Sequence, residues 1–256
     1  MSAPRDSGVP ALDERAIWQQ VEFGSYTADL SLWRELAEAA DDPVLELGAG
    51  AGRVSLHLAE AGAELIAVER DGEVAAQLEA SAGERGLAIS VVVADLGAPA
   101  NLRLPSKPSL AIGPLHLIQE LDDAARRALL GRLAELMAPS GTVALTVVDE
   151  STLLSAGTAA TQILPDMREL DGWVYSSEPL WVQVGDAALT VRRLRERVSP
   201  EGQVERTVQD DILHRISPDR LELEAEEAGL RRAGRRQLSS GPNEADSTVV
   251  LLEAPA

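Results

Sequence analysis

The 256-residue chain contains no cysteine, and that absence excludes disulfides, thiolate metal sites and a cysteine nucleophile. Aromatic residues are scarce at 3%, while hydrophobic residues make up 45% and are mostly Ala, Leu and Val, so the expected core is aliphatic. Basic residues are also few: 23 Lys and Arg against 42 Asp and Glu leave a formal charge of −19. Such a surface repels phosphate backbones and anionic membranes, and nucleic acid and membrane are not expected partners. No run of about 18 apolar residues is present, and the opening MSAPRDSGVPALDER lacks a basic segment followed by an apolar one. A cytoplasmic protein is therefore expected, and no internal repeat interrupts it.

At this length one domain with an insertion is the natural organisation. Residues 1–40 are expected to hold a loose tail of about ten residues and then one or two helices, since Leu30, Trp33, Leu36 and Ala40 recur at helical spacing. From Pro43 to Asp149 near-continuous apolar runs alternate with helical ones. VLEL, AELIAVER, LAISVVVADL, SLAIGPL and TVALTVVD read as strands, with helices after the first, second and fourth. Five βα units in about 110 residues imply a doubly wound, mostly parallel sheet covered on both faces. After Asp149 the segments 172–185, 186–199 and 204–217 read as extended, so an antiparallel sheet of about three strands is expected as an insert over residues 151–216. Residues 217–256 then return to the core with a helix from Pro218, capped by Ser217 and stopped at Gly229, and two further strands.

The chemistry gathers at Val44–Arg53, VLELGAGAGR, a buried strand running into glycines 48, 50 and 52. Glycine at these positions lets backbone N–H groups approach a ligand. The dinucleotide fingerprint G-x-G-x-x-G needs a third glycine where Arg53 stands. In an open α/β sheet, ligands lie beyond the carboxyl ends of the strands. Glu69 ends the second strand, 21 positions after Gly48, and its two oxygens can accept both hydroxyls of a ribose. Asp95 ends the third. An acidic residue after a strand is also a common helix cap, and it is the order of the three strand ends that points to a nucleoside.

VLELGAGAGR closely resembles motif I of the class I S-adenosylmethionine-dependent methyltransferases. SYTADLSLWRELAEAA resembles the helix before the first strand in their small-molecule members, PLHLIQEL (114–121) their segment after strand four, and APSGTVALTVVD their turn into strand five. The likeness runs from about residue 24 to 254. It implies a seven-stranded Rossmann-like sheet and S-adenosylmethionine as cofactor, held by Glu46, Gly48, Ala49, Gly50, Gly52, Arg53, Glu69, Arg70, Asp95, Leu96 and Gly113. Asp95 would take the adenine amino group, and Tyr26 is the equivalent of a tyrosine that faces the cofactor. In PLHLIQEL this chain departs from the family: Leu115 and His116 replace an aromatic and an Asn, and Glu120 replaces a His.

The expected reaction is methyl transfer to N or O of a small molecule, by a monomer or homodimer without metal. In-line displacement chiefly needs a positioned nucleophile and exclusion of water, with a base only where the acceptor arrives protonated. His116, just past strand four, is the candidate base, and equally a helix cap or pocket wall; Tyr26 is placed with it in the reacting region. His57 reads as a surface or packing residue. Tyr26, Trp33, Trp173, Tyr175 and Trp181 suit a lid over the acceptor, or cement for the helix and insert. The arginines at 192, 193, 195 and 197 read first as a solvated face paired with Glu201, Glu205, Asp210 and Asp211. An NAD(P)-dependent oxidoreductase and a cofactor-binding protein without transfer are the rival readings.

Overall fold

The computed structural model describes residues 14–41, 43–148, 165–239 and 246–256. The expected N-terminal tail, and the junction near 150 between core and insert, lie outside them. Two helices, α1 (Glu14–Phe23) and α2 (Leu30–Glu38), precede the first strand. The core then alternates β1 (Val44–Leu47), α3 (Arg53–Glu60), β2 (Leu65–Glu69), α4 (Gly72–Arg85), β3 (Ile89–Val93), β4 (Leu110–Gly113), α5 (Leu117–Glu120), α6 (Asp123–Leu136) and β5 (Thr142–Val148). Between β3 and β4 there is only a 3-10 turn at Pro99–Asn101.

The sheet has seven strands in the order β3-β2-β1-β4-β5-β11-β10, with β10 (Arg231–Leu238) and β11 (Ser247–Glu253) following α7 (Pro218–Glu227). β1 pairs in parallel with both β2 and β4, so the chain winds outward in both directions from this point. β11 alone runs against the rest, antiparallel to β5 and β10. The period-two alternation of a doubly covered sheet is explicit: Leu45, Leu47 and Ala111 join α6 and α7 in one apolar cluster, while Val44, Leu110 and Ile112 join Trp33 of α2 and Val54 and Leu58 of α3 in the other. Helix starts follow local chemistry. Asp71 and Asp122 accept the first free N–H groups of α4 and α6, and Ser217 caps α7 with Pro218 in its first turn.

The insert is an antiparallel meander of four strands, β6 (Asp166–Leu170), β7 (Trp173–Val184), β8 (Ala188–Val198) and β9 (Val204–His214), against about three expected. The missed β6 is a five-residue polar run whose signal is the Asp171-Gly172 turn, both residues with positive φ. α1 seats this sheet on the core. Trp18 meets Tyr175 edge to face at 5.5 Å, and buried Glu22 accepts hydrogen bonds from Arg195 at 2.7 and 2.8 Å and from the Ser177 hydroxyl. The arginine face pairs much as expected, Arg192 with Asp210, Arg193 with Asp211 and Arg197 with Glu205, but Arg195 turns inward to Glu22. No described helix is long and apolar enough to cross a membrane.

Candidate active site

A cavity of about 580 Å³ opens at the carboxyl ends of β1 to β4, roofed by α1 and the segment before α2. Its size suits a small organic ligand. The loop after β1 forms its floor. Gly50 (φ 55°) and Gly52 (φ 90°) hold left-handed backbone, and a side chain at Gly50 would put its Cβ 2.6 Å from Gln19 Oε1. Gly50 N–H donates to Glu69 Oε2 at 2.9 Å, and Asp71 N–H donates to Glu69 Oε1 at 2.9 Å. These two bonds fix the Glu69 carboxylate at the end of β2, and each oxygen keeps a free lone pair. Ala51 N–H donates to Gln19 Oε1 at 3.0 Å, tying α1 to the loop.

Glu46 is buried beneath this loop and accepts a hydrogen bond from the Ser55 hydroxyl of α3. Burial pushes its carboxyl up to about 7, against the opposing pull of Ser55 and Arg53. Arg53, at the start of α3, is engaged through both terminal nitrogens, while its buried Nε has no hydrogen-bond partner among the described residues. It forms two 2.6 Å bonds with the Asp29 carboxylate, donates to the Tyr26 carbonyl at 2.9 Å and lies over the Tyr26 ring at 5.2 Å. Asp29 also accepts Trp33 Nε1–H at 2.8 Å. The cluster thereby fastens the segment before α2 to the glycine loop and sets Tyr26 on the cavity wall. Beyond β3, Asp95 accepts Gly97 N–H at 2.8 Å, and Ala94, Asp95 and Leu96 line the same side.

Of the residues expected from sequence, Tyr26, Glu46, Gly48, Ala49, Gly50, Gly52, Arg53, Glu69, Arg70, Asp95 and Leu96 all border this cavity. Two do not. Gly113 is packed within β4, where a Cβ would lie 2.8 Å from Leu145, and the cavity wall begins one residue later at Pro114. His116 turns away: Leu115 and His116 both have positive φ (51° and 62°), and this backbone twist delivers the imidazole to Ser247 of β11, Nε2 to Oγ 2.7 Å. Desolvation there pulls its pKa down to about 4. It heads α5 without a side-chain cap bond. Three residues further on, buried Gln119 exchanges hydrogen bonds with Val148 at 2.8 and 3.3 Å, clamping α5 to the end of β5.

Of the five aromatics suited to a lid only Tyr26 borders the cavity, joined by Phe23. Trp33 is fully buried beside Asp29, Tyr175 is buried against Trp18, and Trp173 and Trp181 carry Arg197 and Arg192 over their rings. His57 borders the cavity, which its helical spacing did not reveal. Gln19 and Glu120 also line it, and Asp29 and Ser55 hold lining residues in place. Glu120 stood out in the sequence only as a departure from the family in PLHLIQEL, and no motif marked Gln19, Asp29 or Ser55.

Strand order, glycine loop and the acidic ends of β2 and β3 together define a nucleoside-binding domain of the class I methyltransferase type. Residues 44–141 match the family described as Methyltransferase domain. Ribosomal RNA small subunit methyltransferase A of Anaeromyxobacter dehalogenans (strain 2CP-C) is 41% identical over 68 residues, 27% of this chain; the match spans about a quarter of that relative's length, 24%. Among solved structures, the sugar N-methyltransferase KedS8 from Streptoalloteichus sp ATCC 53650 superposes with a TM-score of 0.72 over 100% of this chain and 98% of its own, at 15% identity. The glycopeptide N-methyltransferase MtfA complexed with S-adenosyl-L-methionine gives 0.62 over 93% and 91%, at 22% identity. At such identities the likeness establishes the fold, including the insert sheet.

Proposed function

We propose that this protein transfers a methyl group from S-adenosylmethionine to an N or O atom of a small molecule. The observation that carries the reading is the carboxylate of Glu69, held at the end of β2 by the N–H groups of Gly50 and Asp71 with both oxygens still able to accept a ribose hydroxyl. The residues suit the donor. The glycine loop brings bare backbone to the cavity floor, Asp95 and the backbone of Ala94 to Leu96 face the place of the adenine, and Glu46 and Glu69 surround a cationic ligand with acid. A dinucleotide would instead bring a pyrophosphate, and Arg53, the cation nearest the loop, is already committed to Asp29. The donor supplies an activated methyl on a sulfonium; the chain orients it, aligns the acceptor and excludes water. Residues 41–150 are the donor-binding core and 151–216 the acceptor-side insert. The superposed sugar and glycopeptide N-methyltransferases support a small acceptor, and the net charge of −19 argues against RNA.

Calorimetry with S-adenosylhomocysteine and with NADH tests the donor. Binding of the first and not the second is expected, and the reverse sinks the reading. Glu46 adds a pH signature. Its carboxyl, raised to about 7, is protonated in the free protein at acid pH, whereas a cation above it favours the carboxylate. S-adenosylmethionine binding should therefore release a proton below pH 7 and weaken on acidification, by up to roughly 30-fold between pH 8 and pH 5.5. Glu46→Gln should flatten that dependence, which calorimetry in buffers of different ionisation enthalpy reads directly. For His116, facing Ser247 rather than the cavity, His116→Asn should leave turnover within about threefold of wild type, the scatter of substitutions that touch no reacting group.

A further inference from the structure

Resting on that reading of the cavity, we infer that Glu120 receives the acceptor and that the acceptor is an amine. Glu120 ends α5 on the wall built after β4, and its side chain is exposed to the cavity. Among the cavity's carboxylates it is the one left over. Glu46 is held by Ser55, Glu60 by Arg85 at 2.8 Å, Glu69 by two backbone N–H groups, and Asp95 by Gly97 N–H. Glu120 has no hydrogen-bond or ion-pair partner among the described residues, although Gln119 beside it is clamped to β5. The backbone that carries it is therefore anchored while its carboxylate has no direct partner.

The charges around it fit a cation. Desolvation pushes its carboxyl up; Arg70, from the end of β2, pulls it back, and Asp211 of β9 and Glu69 add negative potential that raises it further. A carboxylate so placed attracts an ammonium group and is a better proton acceptor than a solvated one. It cannot make an alkoxide from an ordinary alcohol, whose proton is held far too tightly. The acceptor ammonium gives one proton to the Glu120 carboxylate and becomes a neutral amine. The freed nitrogen lone pair forms the N–C bond as the methyl carbon's bond to sulfur breaks, its electron pair staying on sulfur as the thioether. The positive charge passes from sulfur to the methylated nitrogen, and Glu120 returns its proton to solvent, which leaves a carboxylate beside the product cation. The other candidates lie elsewhere on the wall: Glu46 is buried beneath the glycine loop and held by Ser55, and His57 lies on α3, one turn before Glu60 and its Arg85 partner, at the donor end.

The test uses the full chain loaded with S-adenosylhomocysteine and titrated with cyclohexylamine and benzylamine against cyclohexanol and benzyl alcohol. In wild type the amines should bind at least about tenfold more tightly than the alcohols, as a charged hydrogen bond requires. Glu120→Gln should abolish that preference while S-adenosylhomocysteine affinity stays within about twofold, and Glu120→Asp should restore part of it. His57→Asn should keep it. The amine preference should also fall on acidification in wild type and be pH-independent in Glu120→Gln, which a merely structural role would not produce. No amine preference in wild type, or the same preference in Glu120→Gln, or its loss in His57→Asn instead, overturns the inference and leaves the donor reading standing. Failure of wild type to bind S-adenosylhomocysteine overturns both.

Discussion

Glu69→Ala is expected to weaken S-adenosylhomocysteine binding by about 10² to 10⁴-fold, because it deletes two charge-assisted hydrogen bonds, each contributing roughly 1.5–3 kcal/mol. The loss has a second source in the protein itself. Gly50 N–H and Asp71 N–H both end on this carboxylate at 2.9 Å, so truncation frees the loop that forms the cavity floor as well as the ribose. Glu69→Gln separates the two. Its carbonyl oxygen can still accept Gly50 N–H, but its amide presents donors where Asp71 N–H already donates, so affinity should fall between the other two proteins. The fold should persist in both variants, since Glu69 is the last residue of β2 and Leu65 to Val68 keep their pairing with β1. Calorimetry gives the affinities and near-ultraviolet circular dichroism the integrity of the fold. Wild-type affinity in Glu69→Ala would remove the observation on which the functional reading stands.

How far the sequence discloses this site depends on how local each interaction is. The glycine loop, Glu46, Glu69 and Asp95 are legible because a strand, its last residues and the following turn form one contiguous geometry, and the near-continuous apolar run VLEL, buried at all four positions, shows in the letters themselves. Gln19 and Asp29 are not legible. Their partners Ala51 and Arg53 lie 32 and 24 residues away, and nothing near Gln19 distinguishes an amide that will cover a glycine loop from one on a solvated helix face. His116 fails for a different reason. A residue following a strand is expected to continue toward the ligand, but two consecutive left-handed residues, Leu115 and His116, redirect the chain, and leucine rarely adopts that conformation. Gly113 stays within the strand by the same one-residue difference that puts Pro114 on the wall. β6 escapes because a short edge strand of polar residues lacks alternation, although the Asp-Gly turn after it was readable.

The largest effect on stability is expected far from the cavity, at Glu224. Arg126 of α6 and Glu224 of α7 are each 1% exposed at the side chain and meet at 2.8 Å, and Arg220 adds a bond to the same carboxylate at 3.0 Å. Removing Glu224 leaves the buried Arg126 with only the exposed Asp123 carboxylate, at 2.6 Å, to answer its charge, so Glu224→Ala should cost up to about 3–5 kcal/mol. At roughly 2–4 °C per kcal/mol in a chain of this size, the melting temperature should fall by about 6–20 °C. Replacing both, as Arg126→Met with Glu224→Leu, should recover most of the loss, because two apolar side chains need no partner. The pH dependence carries the sign of a stabilised carboxylate. Burial works to raise the Glu224 pKa, but Arg126, Arg220 and Arg127 outweigh it and hold it below the ordinary 4.5. The pair's contribution is thus complete above that value and disappears as pH falls through the lower folded one. Thermal melts at pH 7 and in acid should show the wild type losing part of its advantage over the double variant below pH 4.5, and a Glu224→Ala protein melting within a degree of wild type at pH 7 would refute the account. The expectation reaches the site as well. α7 leads into β10 and β11, β11 covers the flank of β5 and carries the Ser247 that holds His116, and loosening α7 from α6 should slacken the wall after β4 before it disturbs the glycine loop.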